Sequence, residues 1–386
     1  MSENNLYYIY IDTKIKGTID QLVGYFQTKV FNEKDCIFVY CKFYKEIARY
    51  IERKFSKHNI PLKFIKKNSD LTFISGKVVF YLFNAQSNCK LVAHRELIHV
   101  FVTHGESNKL ASIKPIIKIY DYIVSSGQIG VDRYLKSSIF SESDISNQKK
   151  VILMGNTFIG QKNFFYSPSS KNLLYAPTWE GGIPEENYSS IGDLALNNLI
   201  EISVNNNIKN IYIQAHPNLG HRDKKYLVLF KKLVLGLKKY GFNVFLLQDK
   251  ISIYDRLNFI GVKFKHIQKN LLSLQCAVVD ISAMEIQLIS NNIPTAVFYD
   301  ERLLNKLVIP SNIEYLYCSS FALNNFNFRK FDFERRQISI NEKFSYLISY
   351  TDKKLEKMDF RERIKWLCSY VFENKNKLVS KNLSRY

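Results

Sequence analysis

Acidic residues are what this sequence most conspicuously runs short of. Its 386 residues carry 35 Asp and Glu against 55 Lys and Arg, a formal net charge of +20 at pH 7. A surplus of that size calls for an anionic partner, whether acidic lipid, a polyphosphate polymer, a nucleotide or nucleic acid. Cysteine is also sparse: six residues, at 36, 41, 89, 276, 318 and 368, none of them in a CxxC pair. That spacing excludes a zinc ribbon and a disulfide framework, and it fits a reducing cytoplasm. No apolar run approaches the roughly 20 residues that a membrane-spanning helix needs. The opening Met1-Ser2-Glu3-Asn4-Asn5 lacks the basic and apolar regions of a secretory signal, so a cytoplasmic location is expected. No GxxxxGK[ST] loop, GxGxxG, HExxH, GxSxG or EF-hand pattern occurs. Signatures of RRM, KH and helix-turn-helix modules are missing too, which removes nucleic acid from the expected partners.

What is present is apolar and regular. Residues of the hydrophobic class make up 46% of the chain and aromatics 14%, ample for folded cores. Leu6–Ile11, Cys36–Tyr40, Lys77–Leu82, Leu97–Val102, Asp121–Val124 and Val151–Met154 read as strands, with helical spacing over Lys42–His58. The rhythm resumes after Gln161–Asn172, whose Ser167-Pro168-Ser169-Ser170 has linker composition. Strands are expected at Leu173–Ala176, Asn210–Gln214, Phe242–Leu247, Cys276–Val279 and Thr295–Phe298, and helices at Ser190–Asn205, Asp223–Tyr240 and Ala283–Ser290. Near-continuous apolar strands separated by helices indicate parallel sheets covered on both faces. The expected fold is therefore α/β, with two doubly wound Rossmann-like domains at 1–160 and 166–330. A basic helical segment at 331–386, helical over Glu342–Lys377, is expected to pack back on the first domain.

Chemistry collects where strands end, which is where open α/β sheets bind ligands. Four clusters occupy such positions: Thr103-His104-Gly105-Glu106-Ser107-Asn108-Lys109, Ala176-Pro177-Thr178-Trp179-Glu180-Gly181-Gly182, Ala215-His216-Pro217-Asn218 and Asp280-Ile281-Ser282-Ala283-Met284-Glu285. His104, with Gly105 beside it to let a ligand approach, is a candidate base near neutral pH. Ser107 and Lys109 are candidate phosphate contacts. Thr178 offers a hydroxyl and Trp179 a flat apolar face, and the glycines after them let the backbone turn. His216, ending a strand that Pro217 stops, suits donation to a phosphoryl oxygen. Asp280, Ser282 and Ala283 precede a helix whose N-terminus would favour an anion. Ser282 also reads as an ordinary N-cap, and Glu285 three residues on as its capping-box partner or as a ribose ligand.

The order His-Gly-Glu-Ser-Asn-Lys, then Tyr175-Ala-Pro-Thr-Trp, then His216-Pro217, then Asp280-x-Ser282 resembles the CDP-glycerol glycerophosphotransferase family, the polymerases and primases of teichoic acids and related capsules. The likeness spans roughly residues 95 to 300. Gly105-Glu106-Ser107 stands where many members have Gly-Thr-Pro, and Ser282-Ala283 where a pair of serines is usual. The resemblance implies a GT-B-like arrangement, the two domains facing a central cleft. It implies transfer of glycerol phosphate, or a similar polyol phosphate, from a CDP-activated donor to a hydroxyl of a cell-surface polymer or lipid-linked acceptor, with release of CMP. His104 and His216 would be catalytic. Gly105, Pro177, Thr178, Trp179, His216, Asp280, Ser282, Ala283 and Glu285 would line the donor site. No metal and no cofactor beyond the donor is expected. The alternative on the same fold is a nucleotide-sugar glycosyltransferase of surface polysaccharide synthesis.

Charge along Asp223–Tyr240 is segregated. At 100° per residue Tyr226, Leu229, Phe230, Leu233, Leu237 and Tyr240 share a face, while Lys224, Lys225, Lys231, Lys232, Lys238 and Lys239 lie opposite with Val228 and Leu235 among them. Either this is a solvated outer face, or it is a strip that meets an anionic polymer or membrane. With the +20 balance, peripheral attachment to the inner face of the cell membrane is expected.

Overall fold

The computed structural model describes residues 6–102, 107–160, 163–248, 257–266, 271–300 and 333–383. The chain divides into two units: Met1–Glu106, Ile113–Gln161 and Tyr346–Tyr386 form the first, Ser107–Ser112 and Lys162–Ser345 the second.

The first unit is built on a seven-stranded sheet. Its strands are β1 (Tyr7–Ile11), β2 (Cys36–Lys42), β3 (Leu62–Ile65), β4 (Val78–Tyr81), β5 (Ile98–Phe101), β6 (Tyr122–Ser125) and β7 (Val151–Leu153). Their order is β3-β2-β1-β4-β5-β6-β7 and every pairing is parallel. Alternation along β1 divides its side chains between two buried layers. Tyr7, Ile9 and Ile11 join Ile19, Leu22, Ile51 and Phe55 on one face, and Tyr8 and Tyr10 join Tyr81, Leu91 and Tyr120 on the other. With apolar cover on both faces, the strand has no position that favours a polar residue, which is why it reads as a continuous run.

The C-terminal segment from Tyr346 onward belongs to this unit. Leu355, Ile364, Leu367, Cys368 and Val371 enter the same core as Ile9. Arg361 holds the buried Asp35 carboxylate through two bonds, Nε to Oδ2 at 2.7 Å and Nη2 to Oδ1 at 2.8 Å. Lys375 Nζ donates to the carbonyl of Leu97 at 2.7 Å. The helical segment expected over Glu342–Lys377 is broken: helices Phe333–Glu342 and Phe344–Leu347 precede a 3₁₀ turn at Lys353–Lys357 and the long helix Phe360–Leu383. The break falls where Tyr350 pairs antiparallel with Met154, a long-range contact that overrides local helix preference.

The second unit has a six-stranded parallel sheet in the order β12-β11-β10-β9-β14-β15. Here β9 is Asn172–Ala176, β10 Asn210–Ile213, β11 Asn243–Leu247, β12 Lys263–Lys265, β14 Cys276–Asp280 and β15 Thr295–Phe298. The stretch that reads as a linker contains β8 (Phe164–Tyr166), which pairs with β13 (Leu272–Leu274). Helices Asp193–Asn205 and Lys225–Lys239 press Ala195, Leu199, Ile202, Phe230, Leu233 and Leu237 onto one sheet face. Two doubly wound α/β units are thus present. The element breaks differ from 1–160, 166–330 and 331–386 mainly in assigning 107–112 and 331–345 to the second unit.

Candidate active site in the second unit

The carboxyl ends of β9, β10 and β14 converge, and Asp280 ties two of them together. It is the last residue of β14 and has no exposed surface. Its Oδ2 accepts from the backbone N–H of Thr178 at 2.7 Å and of Ser190 at 3.1 Å. The loop after β9 is thereby fastened at both its beginning and its end. Burial drives the Asp280 carboxyl up to about 7 from 3.8, against the pull of those donors and of the Lys109 charge. Its Oδ1 has no partner among the described residues. Asp280 braces the loop from below, and its sequence position beside Ser282 does not disclose that role.

Lys109 stands over the same loop. Its Nζ donates to Thr178 Oγ1 at 3.0 Å and lies 5.3 Å from the centre of the Tyr188 ring. Burial lowers its pKa to about 8, opposed by Asp280 and Glu186, so at neutral pH it is mostly an ammonium. Because Thr178 Oγ1 accepts from Lys109, the hydroxyl's own proton is directed elsewhere. A cation and a hydroxyl donor side by side make an anion-binding pair. Ser107, two residues earlier, shares a hydrogen bond with Ser112 at 3.0 Å. Thr103–Glu106, including His104 and Gly105, lie outside the described residues.

The rest of the loop is held by Glu180, which is fully buried. Its carboxylate accepts from the backbone N–H groups of Gly220 (3.0 Å), Arg222 (2.9 Å) and Asp223 (3.0 Å). Burial raises this carboxyl, but the backbone donors outweigh it and hold the pKa below the usual range. Arg222 returns the tie, Nε to the Gly181 carbonyl at 3.0 Å and Nη2 to the Glu180 carbonyl at 2.8 Å. Gly181 sits at φ +72°, and a Cβ there would come within 2.5 Å of the Glu186 carbonyl. Glycine is therefore required at 181, by both backbone conformation and space. Trp179 extends from this frame, its ring stacked against His216 (5.8 Å between centres, 15° between planes) and His221 (6.5 Å, 30°). His216 Nδ1 accepts from the Asn218 N–H at 3.1 Å. The neutral ring therefore carries its proton on Nε2, the nitrogen able to donate.

The fourth cluster departs from expectation. The helix after β14 spans only Met284–Ile289, and Ala283 stands at its start with no side-chain cap. Ser282 does not form the expected capping box with Glu285: its hydroxyl is buried and without a partner among the described residues. Glu285 is 3% exposed, and Pro177 is buried in the strand-end loop. The structure thus brings Lys109, Thr178, Trp179, His216 and Asp280 into one connected set. Ser190, Tyr188, Glu180 and Arg222 belong to it as well. For Glu180 the sequence signal is Glu180-Gly181-Gly182, an acid beside a tight turn.

Among the described residues no group of His, Cys, Asp and Glu could hold a metal ion, and no helix is long and apolar enough to cross a membrane. No family model matches the sequence, and no curated protein does. Solved structures match the chain at low identity. The apo form of the lipopolysaccharide outer core galactosyltransferase WaaB is 12% identical over 93% of this chain and 99% of its own, with a TM-score of 0.44. MnaA of S. aureus with UDP is 12% identical over 91% and 93%, with a TM-score of 0.46. UDP-GlcNAc 2-epimerase from Neisseria meningitidis bound to UDP-GlcNAc is 13% identical over 96% and 99%, with a TM-score of 0.39.

Proposed function

We propose that this protein is a GT-B-like transferase that takes its group from a nucleotide-activated donor and delivers it to a hydroxyl of a surface polymer. The observation that carries this reading is the set at the strand ends of the second unit. Lys109 Nζ lies 3.0 Å from Thr178 Oγ1, on a loop braced by Asp280 through the Thr178 N–H. Lys109, the Thr178 hydroxyl and the Nε2–H of His216 are donors suited to the diphosphate of such a donor. Trp179 supplies a flat apolar surface, and the Ser282 hydroxyl is a further candidate donor. These groups would stabilise the charge that builds on the departing nucleotide. His104 would take the proton of the acceptor hydroxyl as a general base.

Two donor chemistries fit. A nucleotide sugar would be attacked at its anomeric carbon, and a CDP-activated polyol phosphate at phosphorus. Fold alone does not choose between them. The polyol-phosphate reading rests on the order of the four strand-end motifs, and the by-product separates the two. Purified protein incubated with CDP- and UDP-activated donors and candidate acceptors should release either CMP or a nucleoside diphosphate. CMP supports glycerophosphotransfer, and UDP or a similar diphosphate supports sugar transfer. In either case Lys109→Met should weaken donor binding about 10–100-fold, the value of a hydrogen bond to a charged group. Calorimetry showing unchanged donor affinity in a folded Lys109→Met protein would refute the assignment.

A further inference from the structure

Helix Lys225–Lys239 buries Phe230, Leu233, Val234 and Leu237 in the core of the second unit and turns its other face outward. That outer face is not simply polar. Leu227 and Val228 are 47% and 61% exposed. The segment 257–261 runs alongside, pinned by two lysines of the helix: Lys231 Nζ donates to Asn258 Oδ1 at 3.2 Å and Lys238 Nζ to the Ile260 carbonyl at 3.0 Å. Phe259 turns inward against Phe230, 5.9 Å between ring centres. Its neighbours Leu257 and Ile260 face outward at 66% and 73% exposure. Four large aliphatic side chains therefore stand in solvent on adjoining elements.

The two segments that carry them have one sign of charge. Residues 224–243 and 257–266 contain no Asp or Glu, and Lys224, Lys225, Lys232 and Lys239 are exposed. The acid that begins the segment, Asp223, is engaged by Lys225 at 3.4 Å. We propose that this face, helix Lys225–Lys239 with segment 257–261, is the surface by which the protein rests on an anionic lipid membrane. Lysines would meet the headgroups while Leu227, Val228, Leu257 and Ile260 enter the interface. A soluble phosphate polymer would use the lysines and leave the four aliphatic side chains in water. A bilayer accommodates both, and this decides the occupant. The inference stands on exposure and charge alone and does not depend on the transferase reading.

The test is cosedimentation of the full chain with vesicles of phosphatidylcholine, with and without phosphatidylglycerol. Binding should require the anionic lipid and weaken steeply with salt. The pair Lys232→Gln/Lys239→Gln should lose about fivefold in affinity per lysine. The triple variant Val228→Ser/Leu257→Ser/Ile260→Ser, all at exposed positions, should lose tenfold or more while keeping its circular dichroism. Lys45→Gln/Lys57→Gln, on an exposed helix of the first unit, serves as the charge-matched control and should bind like the wild type. Three results would overturn the proposal. One is no binding to anionic vesicles at low salt. Another is equal loss in the control pair, which would mean diffuse attraction. The third is wild-type binding by the aliphatic variant with displacement by soluble polyphosphate, which would mark a polymer site instead.

Discussion

The buried carboxylate of Asp280 makes a pH-dependent contribution to stability that Asp280→Asn should erase. An asparagine keeps the shape, and its side-chain oxygen can still accept from Thr178 and Ser190, at 2.7 and 3.1 Å in the native chain. What disappears is titration. Folded Asp280 holds its proton to about pH 7, whereas a carboxyl in ordinary surroundings releases it near 3.8. Between these values the folded state binds more protons than the unfolded state. The stability contributed by the protonated form is therefore complete below pH 3.8 and is lost as pH rises through 7. The gap between 3.8 and about 7 corresponds to about 4 kcal/mol, lost at about 1.4 kcal/mol per pH unit. The variant should hold its stability across that window, so its advantage over the wild type should grow steadily from pH 4 to 7.5. Other carboxyls titrate alike in both proteins and cancel in the difference. The window stops below the Lys109 value of about 8, whose own titration would otherwise enter. The chain has two tryptophans, Trp179 in the second unit and Trp366 in the first. In a Trp366→Phe background, urea unfolding followed by fluorescence reports the second unit alone. A stability difference that stays flat from pH 4 to 7.5 would show that Asp280 is ionised in the fold, and the bracing argument would need a different charge state.

Glu180→Ala should remove the acceptor of three backbone N–H groups at once. Individually such losses cost about 1–3 kcal/mol when the donor stays buried. With relaxation of the 216–223 loop, a net loss of about 2–4 kcal/mol is expected in the Trp179-reported transition, together with freer Trp179 in fluorescence anisotropy. His104→Ala, in a protein shown to be folded, should lower turnover about 10²–10⁴-fold while donor affinity in calorimetry stays near that of the wild type. Near-normal turnover would remove His104 from the role of base.

How much was readable in advance follows from what each feature depends on. The long strands announce themselves because a strand covered on both faces favours apolar residues along its length, as in Cys276–Val279, where all four are apolar and buried. Short edge strands escape notice. Lys263–Lys265 carries two lysines, and Phe164–Tyr166 sits in a segment of linker composition. Each is a strand only because a neighbour supplies its hydrogen bonds. Helix Gln128–Lys136 is silent in the sequence for a similar reason. Its nine residues are too few for a clear apolar period, and its place is set by packing Ile129, Val131 and Tyr134.

Local order of residues determined the α/β class, the positions of the strand ends, and the fact that polar side chains gather there. Those properties rest on apolar periodicity and turn residues, which act over a few positions. Tertiary structure alone decided what each polar group does. It made Asp280 a brace 102 residues from its partner Thr178. It set Lys109 against Thr178 across 69 residues, and left the Ser282 hydroxyl without a partner among the described residues where a capping box was the simplest expectation. Burial and hydrogen bonding tune a carboxyl or an amine by several kcal/mol. Both depend on atoms brought from distant parts of the chain, so the charge state and the task of these residues are written only in the folded unit.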